Sequence, residues 1–244
     1  MIISHEHEFI YLKTRKTAST SIEIALSEFC GDDDIITPIS DKDEAKRRAR
    51  GFRGPQNFSV PLRFHGKLEL LGRLWRGQYI RKRFRNHRSA RFVRQHIEDD
   101  IWNSYFTFTF ERNPFDKAVS RYYWSTDEPR PRIDDYLDAA PIHFLSNWNI
   151  YTMNDKEVVD YVGRYENLAR ELEKITDEIG LPRRLSLPRA KANHRPDRMH
   201  YSKVLDERAR ERIELVCAKE LKAFGYTWQE SPDSKEKVKD NVQV

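Results

Sequence analysis

Residues 13–21 read KTRKTASTS, three cationic side chains among five hydroxyl-bearing ones. The run stands between FIYL, residues 9–12, and apolar positions Ile22, Ala25, Leu26 and Phe29 at helical spacing. That order predicts a strand, a polar turn and a helix. The backbone N–H groups of such a turn and the helix N-terminus point at one spot, which makes an anion site. Lys16, beside Arg15, would bring a mobile positive charge there, and Thr17, Ser19, Thr20 and Ser21 would bring hydroxyls. A nucleoside triphosphate loop curls around its phosphates on glycines. No glycine stands between Met1 and Gly31, so a tighter turn is expected, in which small Ala18 and Ser19 permit close approach. The alternative use of such a cluster is helix capping.

A second anion signal lies about a hundred residues on. Arg112 follows the alternating run YFTFTF, residues 105–110, which reads as a strand. Asn113 and Pro114 are suited to the N-cap and first position of a new helix. Arg112 could grip a phosphate with two N–H groups and Ser120 could add a hydroxyl; the competing reading pairs Arg112 with Asp116.

RKTASTS followed by FTFERNPFDKAVSRYYW resembles the sulfotransferases that use 3′-phosphoadenosine 5′-phosphosulfate, in particular the carbohydrate O-sulfotransferase branch with the heparan and chondroitin enzymes. The likeness continues through NHRSARFVRQHIEDDIWNSYF, VDYVGRYENLARELEKITDEIGLP and FGYTW at 224–228. It implies that residues 15–21 bind the 5′-phosphosulfate, that Lys16 stabilises the leaving phosphate, and that Arg112 and Ser120 bind the 3′-phosphate. It places a cofactor-covering loop at 187–204, where Lys191, Arg195 and Arg198 could reach phosphate or adenine. Arg164 and Glu166 in GRYENL match a recurrent family string that a structural ion pair explains equally well. A histidine upstream of DDIWNSYF makes His87 the expected base, with His65 as the alternative because it lies in a basic segment where an acceptor could bind. The expected reaction is in-line sulfuryl transfer to an acceptor hydroxyl, on a glycan or glycolipid.

These motifs need a scaffold, and the chain alternates strand and helix signals. Strands are expected at 8–12 and 105–110, and helices at 20–29, 67–84, 88–98, from Pro114, near 155–179 and at 203–223, with 31–66 irregular. This is an α/β chain, a P-loop-like three-layer domain with a central, mostly parallel sheet flanked by helices. One domain over 1–230 is expected, with 31–86 a basic insertion and 231–244 a disordered tail.

Charge is uneven. From Lys46 to Arg94 there are sixteen Lys or Arg against one acid, Glu69, while the whole chain is +5. Such a field would steer an anionic acceptor or rest on an acidic membrane, the latter through 67–94. The N-terminus lacks signal-peptide regions and the two cysteines make no disulfide framework, so a soluble cytoplasmic protein, peripheral to the membrane at most, is expected. Eight histidines without HExxH spacing and no CxxC suggest no metal. The rivals are a nucleotide-dependent kinase, disfavoured by the missing glycines, and a basic nucleic-acid or membrane binder, which leaves both phosphate motifs unexplained.

Overall fold

The run FTFTFE divides the chemistry of the sheet between its two faces. A computed structural model of the chain describes residues 1–66, 82–188 and 199–230. In it, β1 (Ile2–Ser4), β2 (Phe9–Tyr11), β3 (Ile35–Ile36) and β4 (Phe106–Glu111) join one sheet. A small hairpin, β5 (Thr152–Met153) with β6 (Lys156–Glu157), precedes the fifth strand of the main sheet, β7 (Tyr161–Arg164). The order is β3-β1-β2-β4-β7. β2, β4 and β7 are mutually parallel, and β1 is antiparallel to both β2 and β3. The sheet is thus mostly parallel in direction, with β1 the exception.

The helices are α1 (Ser19–Leu26), α2 (Asp41–Arg48), α3 (Ala90–Arg94), α4 (Asp99–Ser104), α5 (Pro114–Ser125), α6 (Ile133–Ala139) and α7 (Ile142–Leu145). α8 (Trp148–Tyr151), α9 (Leu168–Glu178), α10 (Glu207–Val216) and α11 (Ala218–Phe224) follow. They fall in two compact units, one of residues Met1–Glu111 and Asn149–Ala190, the other of Arg112–Trp148 and Lys191–Val244.

In the first unit, Phe9, Tyr11, Phe108 and Phe110 form one apolar face of the sheet, covered by Ile22 and Leu26 of α1 and by Leu172 and Ile175 of α9. Each fully buried side chain of this size contributes roughly 1.5–3 kcal/mol. The threonines alternate away from that face. Thr107 donates from its hydroxyl to Asp160 Oδ2 at 2.7 Å, and Thr109 to the Leu12 carbonyl at 2.7 Å. The second unit is helical, with Phe115, Val119, Leu137, Leu145 and Ile213 in its core. There Glu220 Oε1 accepts from Ser146 Oγ at 2.6 Å and from Asn147 N at 3.0 Å, and buried Lys117 lies 3.9 Å away.

Several expectations change. The 31–66 segment holds β3 and α2, and α2 carried a readable signal. Ser40 caps it by accepting from Asp43 N, acids fill its first turn, and bases fill its last. The region 155–179 is not one helix. Asp160 binds the Thr107 N–H at 2.8 Å, so YVGR pairs with β4 as a strand, and the helix begins only at Leu168. The 88–98 helix stops at Arg94, and the 203–223 helix is divided at Cys217. Of the helix expected over 67–84, residues 67–81 lie outside the described residues; Arg83 instead bridges to Ser59. The tail 231–244 also lies outside them.

Candidate functional site

The loop between β2 and α1 is held from beneath by β4. Leu12 N donates to the Phe108 carbonyl at 2.9 Å, and the Thr14 hydroxyl donates to the Phe110 carbonyl at 2.6 Å. Because the Thr14 proton is used there, the Thr17 hydroxyl, 2.9 Å from Thr14 Oγ1, must be the donor of that pair. Thr17 is fully buried and its hydroxyl ties the loop together.

Lys16 has φ 63° and Ala18 φ 56°, both left-handed. A side-chain-bearing residue pays about 1–2 kcal/mol for that region, which glycine enters freely. The loop therefore makes two left-handed bends on residues that carry side chains, at positions that favour glycine. Ala18 is the N-cap of α1 and offers no capping side chain, and the first turn carries no acid. Ser19, Thr20 and Ser21 form that turn and are buried. An uncapped helix start without a carboxylate is electrostatically suited to an anion.

His87 meets this loop. Its Nδ1 lies 2.9 Å from the Lys13 carbonyl oxygen. A carbonyl only accepts, so Nδ1 carries the proton and the neutral ring presents its lone pair at Nε2. Burial, then the charges of Arg15 and Lys13, press the His87 pKa from 6.5 down to about 3, against the raising effect of the Lys13 bond. Asn86, immediately before it, donates from Nδ2 to the Pro38 carbonyl at 2.9 Å. His65 is buried after the turn Leu62–Phe64, and its backbone N–H donates to the Leu62 carbonyl at 3.0 Å.

Two residues of this site carried no sequence assignment, Lys13 and Glu23. Lys13 Nζ sits 2.6 Å from Glu23 Oε2, both buried. The Met1 ammonium and Arg47 approach Glu23 Oε1 at 2.9 and 3.6 Å, and the Thr37 hydroxyl donates to it at 2.9 Å. Burial raises the Glu23 pKa, but the Lys13, Met1 and Arg47 charges prevail and hold it at about 2. The available signal was an acid between Ile22 and Ile24, in a helix buried along its whole length.

In the second unit, Arg112 donates from Nε to Asp116 Oδ2 at 2.9 Å. The carboxylate pairing weighed against phosphate binding is therefore present. Asp116 and half-buried Ser120 are one turn apart on α5, so Arg112, Asp116 and Ser120 share one side of the helix start. Lys191, Arg195 and Arg198 lie outside the described residues.

The basic segment is less polarised than its count suggests. Arg47 is fully buried against Glu44, Lys46 pairs with Asp43, Arg53 with Asp32, and Arg63 with Glu98. Among the described residues no helix is long and apolar enough to cross a membrane.

The model of the sulfotransferase family matches residues 1–135, more than half of the chain. The chain belongs to the sulfotransferase family. Membership supports a sulfotransferase activity for this protein, and the matched span contains the β2–α1 loop, His87, Arg112 and Ser120. The chain is also similar to an uncharacterized protein of Archaeoglobus fulgidus, 33% identical over 104 residues, covering 40% of this chain and 87% of that protein. No solved structure matches it.

Proposed function

We propose that this protein transfers a sulfuryl group from 3′-phosphoadenosine 5′-phosphosulfate to a hydroxyl of a carbohydrate acceptor. The observation that supports the reading is the hydrogen bond of His87 Nδ1 to the Lys13 carbonyl, which holds a neutral imidazole, its lone pair on Nε2, against the cationic loop that leads into α1. The loop functions as a P-loop-like cradle. Arg15, the Thr17 N–H, Ala18, Ser19, Thr20 and Ser21 hold the 5′-phosphosulfate, and Lys16 stabilises charge on the bridging oxygen as it leaves. Arg112 and Ser120 hold the 3′-phosphate, for which Arg112 exchanges its Asp116 partner, and Lys191, Arg195 and Arg198 cover the donor. The bond between sulfur and the bridging phosphate oxygen breaks as the bond to the acceptor oxygen forms. His87 Nε2 takes the acceptor proton.

Calorimetry with 3′-phosphoadenosine 5′-phosphate against ATP, followed by transfer from radiolabelled donor to an acceptor library without divalent metal, tests this. Bisphosphate binding with metal-independent transfer is expected. Tight ATP binding without response to the bisphosphate overturns the reading and favours a kinase.

A further inference from the structure

His87 has φ 60°, in the left-handed region that favours glycine. It stands in a short turn between two anchored points. Before the turn, Phe84 N donates to the Phe58 carbonyl at 2.8 Å; after it, Ser89 caps α3 by accepting from Phe92 N. We infer that Asn86 is a positioning residue for the transfer, holding this left-handed turn so that the His87 ring stays on the Lys13 carbonyl; the inference rests on the base role given to His87 above.

The Asn86 amide is the first argument. Its Nδ2 lies 2.9 Å from the Pro38 carbonyl oxygen. A carbonyl only accepts, so the NH2 group faces Pro38 and the amide oxygen is the end that faces Thr37. That oxygen lies 3.1 Å from the Thr37 hydroxyl, within reach of a proton that Glu23 Oε1, at 2.9 Å, also attracts. Both ends of one short side chain thus meet consecutive residues, 48 and 49 positions away in sequence.

The second argument is what those residues belong to. Thr37 directly follows β3, and its N–H donates to the Met1 carbonyl at 3.1 Å. β3 pairs with β1 and β1 with β2, and Lys13 lies two residues beyond β2. Asn86 and His87 are therefore tied to two strand ends of one sheet, through Pro38 and through Lys13. A side chain locked by partners on a rigid element keeps its geometry better than one left to its loop.

Strain is the third. A histidine does not hold a left-handed backbone by itself, so the surroundings must impose it. Without the Asn86 amide the turn relaxes, and the ring leaves the Lys13 carbonyl. It then loses the bond that keeps the proton on Nδ1 and the lone pair on Nε2. The donor loop, anchored to β4 through Thr14, is untouched.

The test uses the full chain, 15N-labelled at histidine, at pH 8, with 3′-phosphoadenosine 5′-phosphate as the binding probe and His87→Asn to assign the ring signal. Long-range 1H–15N NMR on the wild type is expected to show the His87 proton on Nδ1. Asn86→Ala, and Asn86→Asp, which keeps the size but cannot donate to Pro38, are expected to show both tautomers. Their kcat should fall about ten-fold or more, with bisphosphate affinity within about two-fold of wild type. Added to His87→Asn, Asn86→Ala should lower transfer by less than about two-fold more, because its effect passes through the ring. A wild-type ring protonated on Nε2, wild-type kcat in both Asn86 variants, bisphosphate affinity lost in parallel with kcat, or an equal fold-loss with and without His87 overturns the positioning role. Transfer at the wild-type rate by His87→Asn instead overturns the base assignment, and the tautomers of the Asn86 variants still judge the clamp by itself.

Discussion

His87 Nδ1 donates to the carbonyl oxygen of Lys13 at 2.9 Å, and the Lys13 ammonium is held by Glu23 at 2.6 Å. One lysine thus joins the ring to a buried carboxylate through its main chain and its side chain. The link fixes which ring nitrogen can act as a base.

The first prediction concerns pH. With its pKa at about 3, His87 is neutral in the folded protein across the range where an unfolded histidine, near 6.5, gains a proton. The unfolded state therefore binds more protons between those values, and stability rises with pH by up to about 1.4 kcal/mol per unit from this group. Urea unfolding at pH 7 and pH 4.5 is expected to show this loss on acidification, and a smaller one in His87→Asn. For catalysis, kcat/KM for the donor should have no limb near pH 6.5. A limb there would contradict a buried neutral ring.

Lys16→Ala is expected to lower transfer by about 100-fold or more, the scale of removing one donor to developing charge. Bisphosphate affinity should fall far less, because the loss is concentrated in the transition state. Near-normal turnover would remove Lys16 from its role.

Ala18→Gly is expected to be neutral or stabilising by up to about 1 kcal/mol, since relief of the left-handed backbone offsets the added freedom of the unfolded chain. Ala25→Gly, inside the same helix, should cost about 1 kcal/mol or more. Equal losses in thermal or denaturant unfolding would argue against the left-handed cap.

Glu23→Gln should destabilise by about 3–5 kcal/mol, because it leaves the Lys13 ammonium buried without its counter-charge. The depressed carboxyl pKa sets the sign with pH: its contribution is present above the ordinary value of 4.5 and is lost as pH falls toward about 2. A denaturant midpoint equal to wild type at pH 7 would show that the pair is not needed.

Arg112→Ala is expected to weaken 3′-phosphoadenosine 5′-phosphate binding by about ten-fold or more, while adenosine 5′-phosphosulfate, which lacks the 3′-phosphate, is held as before. An equal loss for both ligands would reduce Arg112 to the structural partner of Asp116.

The sequence by itself determined the local pieces. Alternation in FTFTFE gave β4, Asn113 and Pro114 gave the start of α5, and the apolar spacing after KTRKTASTS gave α1, because each depends on neighbours within a few residues. The same local reading turned YVGR into helix, since the Asp160–Thr107 bond that makes it a strand joins residues 53 apart. Only the tertiary structure decided that Arg47, counted in a basic run, is buried beside Glu23, and that the Lys13 carbonyl accepts from His87 across 74 positions. Left-handed Lys16 and Ala18 were hidden for the same reason. The glycine-free loop is bent by its anchorage to β4, and the rest of the fold supplies the energy that its own residues lack.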